Sequence, residues 1–300
     1  MHVITQPTAR AFLRMTLSAL LIAVIQVCGL QADEKQLAAT QTQRLLLIGQ
    51  GPDGSHARTT HEYFAGMNLL AKLLRSQPKL ETIVVSADGD WRDGPQLLER
   101  ADAAVLFVAE GAKWVSADAA RLTAFGELSK RGGGLVALHW ATGTKSAEPI
   151  EPFVSLFGAC HGGPDRQFKV LDVTPELANE SHPILRGVKP ISVHEEFYFA
   201  LKLVAKTGGV TRIESESAIT PLLRIPVGNE HPAVAWSWDR PDGGRSCGFT
   251  GLHFHDNWKH ESYRRLMAQA TLWSLKREIP AVGIAVEVDA DALSLPEAKK

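Results

Sequence analysis

Between residues 44 and 144 the chain repeats one pattern four times: a short apolar run, a turn, then an amphipathic stretch. The runs lie at Arg44-Leu-Leu-Leu-Ile48, Thr82-Ile-Val-Val-Ser86, Ala103-Ala-Val-Leu-Phe-Val108 and in GGGLVALHWATGT at 132–144. A strand that is apolar at successive positions, not at every second one, has both faces buried. That is the mark of a parallel sheet covered on two sides. The segments between read as helices. Thr59 and Glu62 have capping-box spacing ahead of Phe64, Met67, Ala71 and Leu74. Gly94 to Arg100 is a short helix, and Ser116 can cap one that carries Leu122, Phe125 and Leu128 and closes at Gly132. Strand and helix alternating with short connections predict an α/β three-layer sandwich.

After about residue 165 the texture changes. Phe168–Val173, Val193–Phe199, Pro232–Trp238 and Arg245–Leu252 read as strands, the last two joined by the hairpin signal Asp239-Arg-Pro-Asp-Gly-Gly244. A last helix, about His260 to Lys276, carries Tyr263, Leu266, Met267, Ala270 and Trp273. The expected architecture is thus a mainly parallel sheet with an added antiparallel hairpin. The expected organisation is a leader at 1–32, a polar linker at 33–43, one domain at 44–278 and a peripheral tail at 279–300.

The leader has its own logic. Arg10 and Arg14 precede an uncharged run from Met15 to Leu30, then Gln31-Ala32-Asp33-Glu34. A basic start, an apolar centre and a small residue before acidic ones read as a secretory signal cleaved after Ala32. The competing reading, a membrane anchor, needs about 20 apolar residues. Export removes Cys28 and leaves Cys160 and Cys247, which are either a disulfide or two separate buried thiols. A net charge of -1, with no basic stripe or zinc-finger spacing, argues against a nucleic-acid partner.

Ligands of open parallel sheets bind beyond the carboxyl ends of the strands. The loops there are rich in polar side chains: Asp53, His56, Arg58, His61 and Glu62 after the first strand; Glu110, Lys113 and Trp114 after the third; His139, Trp140, Thr142 and Lys145 after the fourth. Cys160-His-Gly-Gly-Pro-Asp165, His194-Glu-Glu196 and Gly251-Leu-His-Phe-His-Asp-Asn-Trp258 add more. Each also has a structural reading. Glu195 and Glu196 point to opposite sides of a strand, as do His253 and His255 if that segment is extended, so one of each pair faces a given pocket. Trp114, Trp140 and Trp258 suit a core as well as a sugar platform. Gly49-Gln-Gly-Pro-Asp-Gly54 matches a dinucleotide fingerprint superficially, but Pro52 and Asp53 fit a phosphate cradle poorly and Asp88 is the only ribose-binding candidate. No Gly-x-Ser-x-Gly is present. His, Glu and Asp ligands for a zinc-like divalent metal are available, without the tight spacing of a His-Glu-x-x-His motif.

In order, GGGLVALHWATGT, Phe157-Gly-Ala-Cys-His-Gly-Gly163, His182-Pro-Ile-Leu-Arg-Gly187, HEEFYF at 194–199, GLHFHDNW at 251–258 and a closing Leu-Trp-Ser-Leu resemble the ThuA-like (trehalose-utilisation) family over about residues 44–278. The resemblance implies a class I glutamine-amidotransferase-like, flavodoxin-type fold. In amidotransferases the turn after the corresponding strand carries a catalytic Cys; here it carries His139, so no glutaminase activity is expected. The resemblance further implies a carbohydrate substrate, a disaccharide or 3-keto-glycoside, cleaved or isomerised by acid–base chemistry. On that reading Glu195 or Glu196 is the base, His139 and His255 are stabilisers or metal ligands, and His56 or His61 is the acid. His56, Glu110, Trp114, Trp140, His161, Asp165, His253, Asp256 and Trp258 are the substrate-binding candidates. Two alternatives stay open: a non-catalytic carbohydrate-binding module, and a metal-dependent hydrolase of another small molecule. A homo-oligomer is compatible with the sequence.

Overall fold

The computed structural model describes residues 41–52 and 54–295. The expected leader, most of the linker, Asp53 and the last five residues lie outside the described residues. The order begins β1 (Gln43–Gly49), α1 (Tyr63–Leu74), β2 (Leu80–Ser86), α2 (Gly94–Glu99), β3 (Ala103–Phe107), α3 (Gly111–Ser116), α4 (Ala119–Lys130) and β4 (Gly134–Leu138). It continues with β5 (Gly143–Thr144), α5 (Ile150–Phe157), β6 (Ala159–Gly162), β7 (Gln167–Val173), β8 (Glu176–Leu177), β9 (Val193–Phe199), β10 (Lys202–Val204), β11 (Val210–Thr211), β12 (Thr220–Arg224), β13 (Ala233–Asp239), β14 (Arg245–Phe249) and α6 (Glu261–Ser274).

The main sheet has the order β2-β1-β3-β4-β14-β13-β12-β8. Its first five strands are all parallel, and their 2-1-3-4-5 pattern is that of flavodoxin-like sheets. The hairpin β13–β14 therefore does more than decorate the edge. Its second strand pairs with β4 in parallel register, Phe249 opposite Leu138, and continues the parallel sheet. The loop after β14 consequently opens on the same edge as those after β1, β3 and β4.

The uninterrupted apolar runs have the consequence expected. Leu45, Leu47, Val105, Phe107, Val136 and Leu138 enter a core shared with α1 and α6. The alternate residues Leu46, Ile48, Ala104, Leu106, Leu135 and Ala137 enter a second core with α3, α4 and α5. Both layers are built of buried apolar side chains. Burying each Leu or Val here contributes on the order of 2 kcal/mol.

Several local expectations change. The capping-box glutamate reaches back, since Glu62 Oε1 accepts from the Thr59 N–H at 3.3 Å, but α1 starts later, at Tyr63. Asp118, not Ser116, caps α4, accepting from the Arg121 N–H at 2.7 Å. Asp88 accepts from the Gly51 N–H at 3.1 Å. It thus closes the glycine-rich loop instead of facing a ribose. The stretch from Ile279 is not peripheral: Ile279, Ile284 and Val286 are buried in the first core, and the Arg264 guanidinium donates to the Val286 carbonyl. Cys160 and Cys247 are separate buried thiols, and burial pushes both well above the usual thiol range. Among the described residues no helix is long and apolar enough to cross a membrane.

Candidate metal and catalytic centre

Three histidines from three loops of the parallel edge meet: His61 after β1, His139 after β4 and His253 after β14. Their ligand atoms all lie within 4.8 Å of one another. His253 Nδ1 is 3.0 Å from His61 Nε2 and 3.3 Å from His139 Nε2. The backbone is held unusually to achieve this. His139 follows β4 directly with φ 50°, His61 has φ 55° and Leu252 has φ 79°, all in a region that residues with a Cβ avoid. The sharp strand-to-turn geometry that displays a nucleophile in several α/β folds is thus present, and here it displays an imidazole.

Second contacts orient the rings. His139 Nδ1 is 2.9 Å from the Thr250 carbonyl, which can only accept, so Nδ1 carries the hydrogen and Nε2 keeps its lone pair toward the centre. Burial, then the neighbouring His61 and His253, hold the His139 pKa well below the usual imidazole range. A neutral imidazole is the metal-binding form.

These distances test whether a cation fits. Zinc–nitrogen bonds of about 2.0–2.1 Å in a tetrahedron place ligand nitrogens roughly 3.3 Å apart, close to the 3.0 and 3.3 Å of two of the three pairs, with all three within 4.8 Å. Three imidazoles with an open fourth position are a catalytic zinc set, and imidazole also suits copper, iron and nickel. The residues fit a divalent transition metal.

The two glutamates divide their labour. Glu195 is fully buried and accepts from the N–H groups of Leu252 (2.9 Å), His253 (3.0 Å) and Glu196 (2.9 Å) and from the Asn257 amide (2.8 Å). It cannot reach a substrate; it holds the backbone that presents His253. Glu196, next along β9, faces the centre. Its carboxylate lies 3.8 Å from His253 Nδ1, and burial raises its pKa while a hydrogen bond from Tyr198 lowers it. Tyr198 was not among the sequence candidates. Its hydroxyl is 3.0 Å from His139 Nε2, and its ring stacks on His139 and His161. The signal was available: in HEEFYF, Tyr198 shares a strand face with Glu196.

Burial lifts the Glu195 pKa from 4.5 to about 7. Between those values the folded chain holds a proton that the unfolded chain has released. This group's contribution to stability is therefore full below pH 4.5 and falls as pH rises to 7, by roughly 3 kcal/mol. Glu195→Gln is expected to flatten that limb of the stability curve. Denaturation midpoints measured across the window decide it, and an unchanged slope would remove the assignment.

The other candidates separate. His56 is exposed at the mouth, its ring centroid 4.1 Å from that of His61 and 6.2 Å from that of His253. Trp140, partly buried, stands edge-on to Tyr198 at 5.4 Å and beside His161 at 5.8 Å. His161 is buried, and burial together with Lys202 brings its pKa down to about 3. His255 is corrected: β14 ends at Phe249, so strict strand alternation does not reach residue 255. His253 takes the place at the centre, while His255 is buried in a 3-10 turn, its N–H donating to the Thr59 carbonyl. Trp258 is a core residue, and Trp114 packs in the second core under the Arg121 guanidinium, 4.0 Å from its ring centre. Asp256 is exposed and paired with Lys259. Asp165 pairs with Lys202 and Arg212. Glu110 accepts from the Lys145 N–H and so ties the loops after β3 and β4.

Residues 54–274 match the sequence family described as ThuA, trehalose utilisation. The chain belongs to the ThuA family. Solved ThuA-like proteins share the fold. One from Bacteroides uniformis is 16% identical with a TM-score of 0.57, over 79% of this chain and 93% of its own. One from Parabacteroides merdae is 12% identical with a TM-score of 0.52, over 80% and 92%. At such identities the likeness speaks for the fold alone. No curated protein matches.

Proposed function

We propose that this ThuA protein cleaves a 3-keto-glycoside by elimination, at a divalent metal held by His61, His139 and His253. One observation carries this reading: three converging imidazole nitrogens with a desolvated carboxylate, Glu196, 3.8 Å from one of them. That is a Lewis-acid site with a base beside it. A ketone at C3 of a sugar acidifies the proton on C2. Glu196 takes that proton, and the pair left on carbon delocalises onto the ketone oxygen. When the carbonyl re-forms, a C1–C2 double bond forms and the C1–O bond breaks. The leaving oxygen takes a proton, for which His56 at the mouth is the available donor. The products are an unsaturated keto-sugar and an alcohol, with no water consumed. A divalent cation, when bound, supplies polarisation of a ketone oxygen. Tyr198 stands beside Glu196 on the same strand face, its hydroxyl 3.0 Å from His139 Nε2. With His139 in the nucleophile position and both thiols buried, glutamine hydrolysis is not expected. The leader pattern before Asp33 supports an exported protein, which N-terminal sequencing of the mature chain tests.

The test is a panel of glycosides and their 3-keto forms, incubated with and without chelator, with products read by mass. Turnover is expected for the keto forms alone, to be chelator-sensitive, and to give products whose masses sum to the substrate. Products heavier by one water would mean hydrolysis. Sugar binding without turnover would mean a binding module.

A further inference from the structure

β7 and β9 form a two-stranded antiparallel ribbon whose register places Phe168 opposite Tyr198 and Val170 opposite Glu196. Residues directly opposite share a face and lie about 5 Å apart. Phe168 and Val170 therefore stand on the same face as the two side chains that reach the centre. The other face is anchored, with Leu171 and Val173 packed against the first core. Yet Phe168 is 55% and Val170 43% exposed, among the most open large apolar side chains of the described residues. Phe168 and Trp140 both stand edge-on to Tyr198, at 6.3 and 5.4 Å. An exposed aromatic and aliphatic pair, continuous with a polar catalytic face, suits the apolar C–H face of a sugar ring.

We propose that Phe168 and Val170 form a shelf for the second, leaving-group ring of the substrate, so that the enzyme acts on two-ring glycosides in preference to simple alkyl glycosides. The inference rests on the reading of Glu196 as base: the ring that loses its proton lies at Glu196, and the group attached to its C1 extends one strand outward. Val170 is directly across from Glu196, and Phe168 is the next residue on that face.

The test compares a 3-keto disaccharide with the matching methyl 3-keto-glucoside on metal-loaded protein. In Phe168→Ala the ratio of kcat/KM, disaccharide over methyl glycoside, is expected to fall about tenfold through KM, and in Val170→Ser by a smaller factor. An unchanged ratio overturns the shelf. Should the wild type turn over neither substrate, the elimination reading fails, and the shelf is judged by saturation-transfer NMR with unoxidised trehalose. Binding lost in Phe168→Ala supports it, and binding kept, or absent from the wild type, overturns it. Sedimentation of both variants reads the other role for an apolar patch. A change of oligomeric state would assign Phe168 to a contact between copies and overturn the proposal.

Discussion

His253→Ala is expected to bind no divalent metal where the wild type does, and to lose at least about three orders of magnitude in turnover, while remaining folded. The removed ring supplies the Nδ1 that lies 3.0 Å from His61 and 3.3 Å from His139, so two nitrogens cannot close the set. A Lewis acid contributes several kcal/mol of transition-state stabilisation, and each 1.36 kcal/mol is tenfold in rate. Folding survives because the Glu195 carboxylate grips the backbone N–H of residue 253, not its side chain. Metal content by mass spectrometry and thermal unfolding with and without chelator check both parts. Ligand linkage stabilises the wild type when metal is present, and that increment should vanish in the variant. A variant that keeps stoichiometric metal and full activity refutes the three-histidine site.

Glu196→Gln is expected to lower kcat by about 10²–10⁴, the usual contribution of a positioned base, with metal content and melting temperature near those of the wild type. Glutamine matches the shape, but it takes no proton. The signature is exchange: wild-type protein in deuterated water should exchange the C2 hydrogen of a keto-sugar, and the variant should not. Loss of turnover with exchange intact would move the base elsewhere and leave Glu196 a binding role. Glu195→Gln differs in kind. It acts through the 252–253 backbone, and so should alter metal affinity and the pH dependence of stability together.

Much of the site was legible before folding. Period and composition placed the strands because burial on both faces demands apolar residues at successive positions, a local property of sequence. The same argument placed the parallel edge and hence the loops that carry His56, His61 and His139. Within β9 the alternation separated Glu195 from Glu196, since two residues apart is one face of a strand. It could not say which face met the three histidines. That depended on where Leu252 and His253 put their N–H groups, 57 and 58 residues away in sequence.

The choice between His253 and His255 shows the limit most clearly. A continued strand makes them equivalent apart from side, but Leu252 takes φ 79° and the strand has already ended. No residue type at 252 announces that turn. It is imposed from outside, by Glu195 accepting two successive N–H groups, by the His255 N–H donating to the Thr59 carbonyl and by the His61 N–H donating to the His253 carbonyl. Sequence alone determined the sandwich, the edge that carries the polar loops and the imidazole directly after β4, because burial patterns and strand ends are encoded locally. Only the tertiary structure decided that His61, His139 and His253 converge, that Tyr198 joins them, and that Glu196 is the glutamate that faces them. Those facts are distances between loops far apart in the chain, set by backbone strain and buried hydrogen bonds that no local pattern contains.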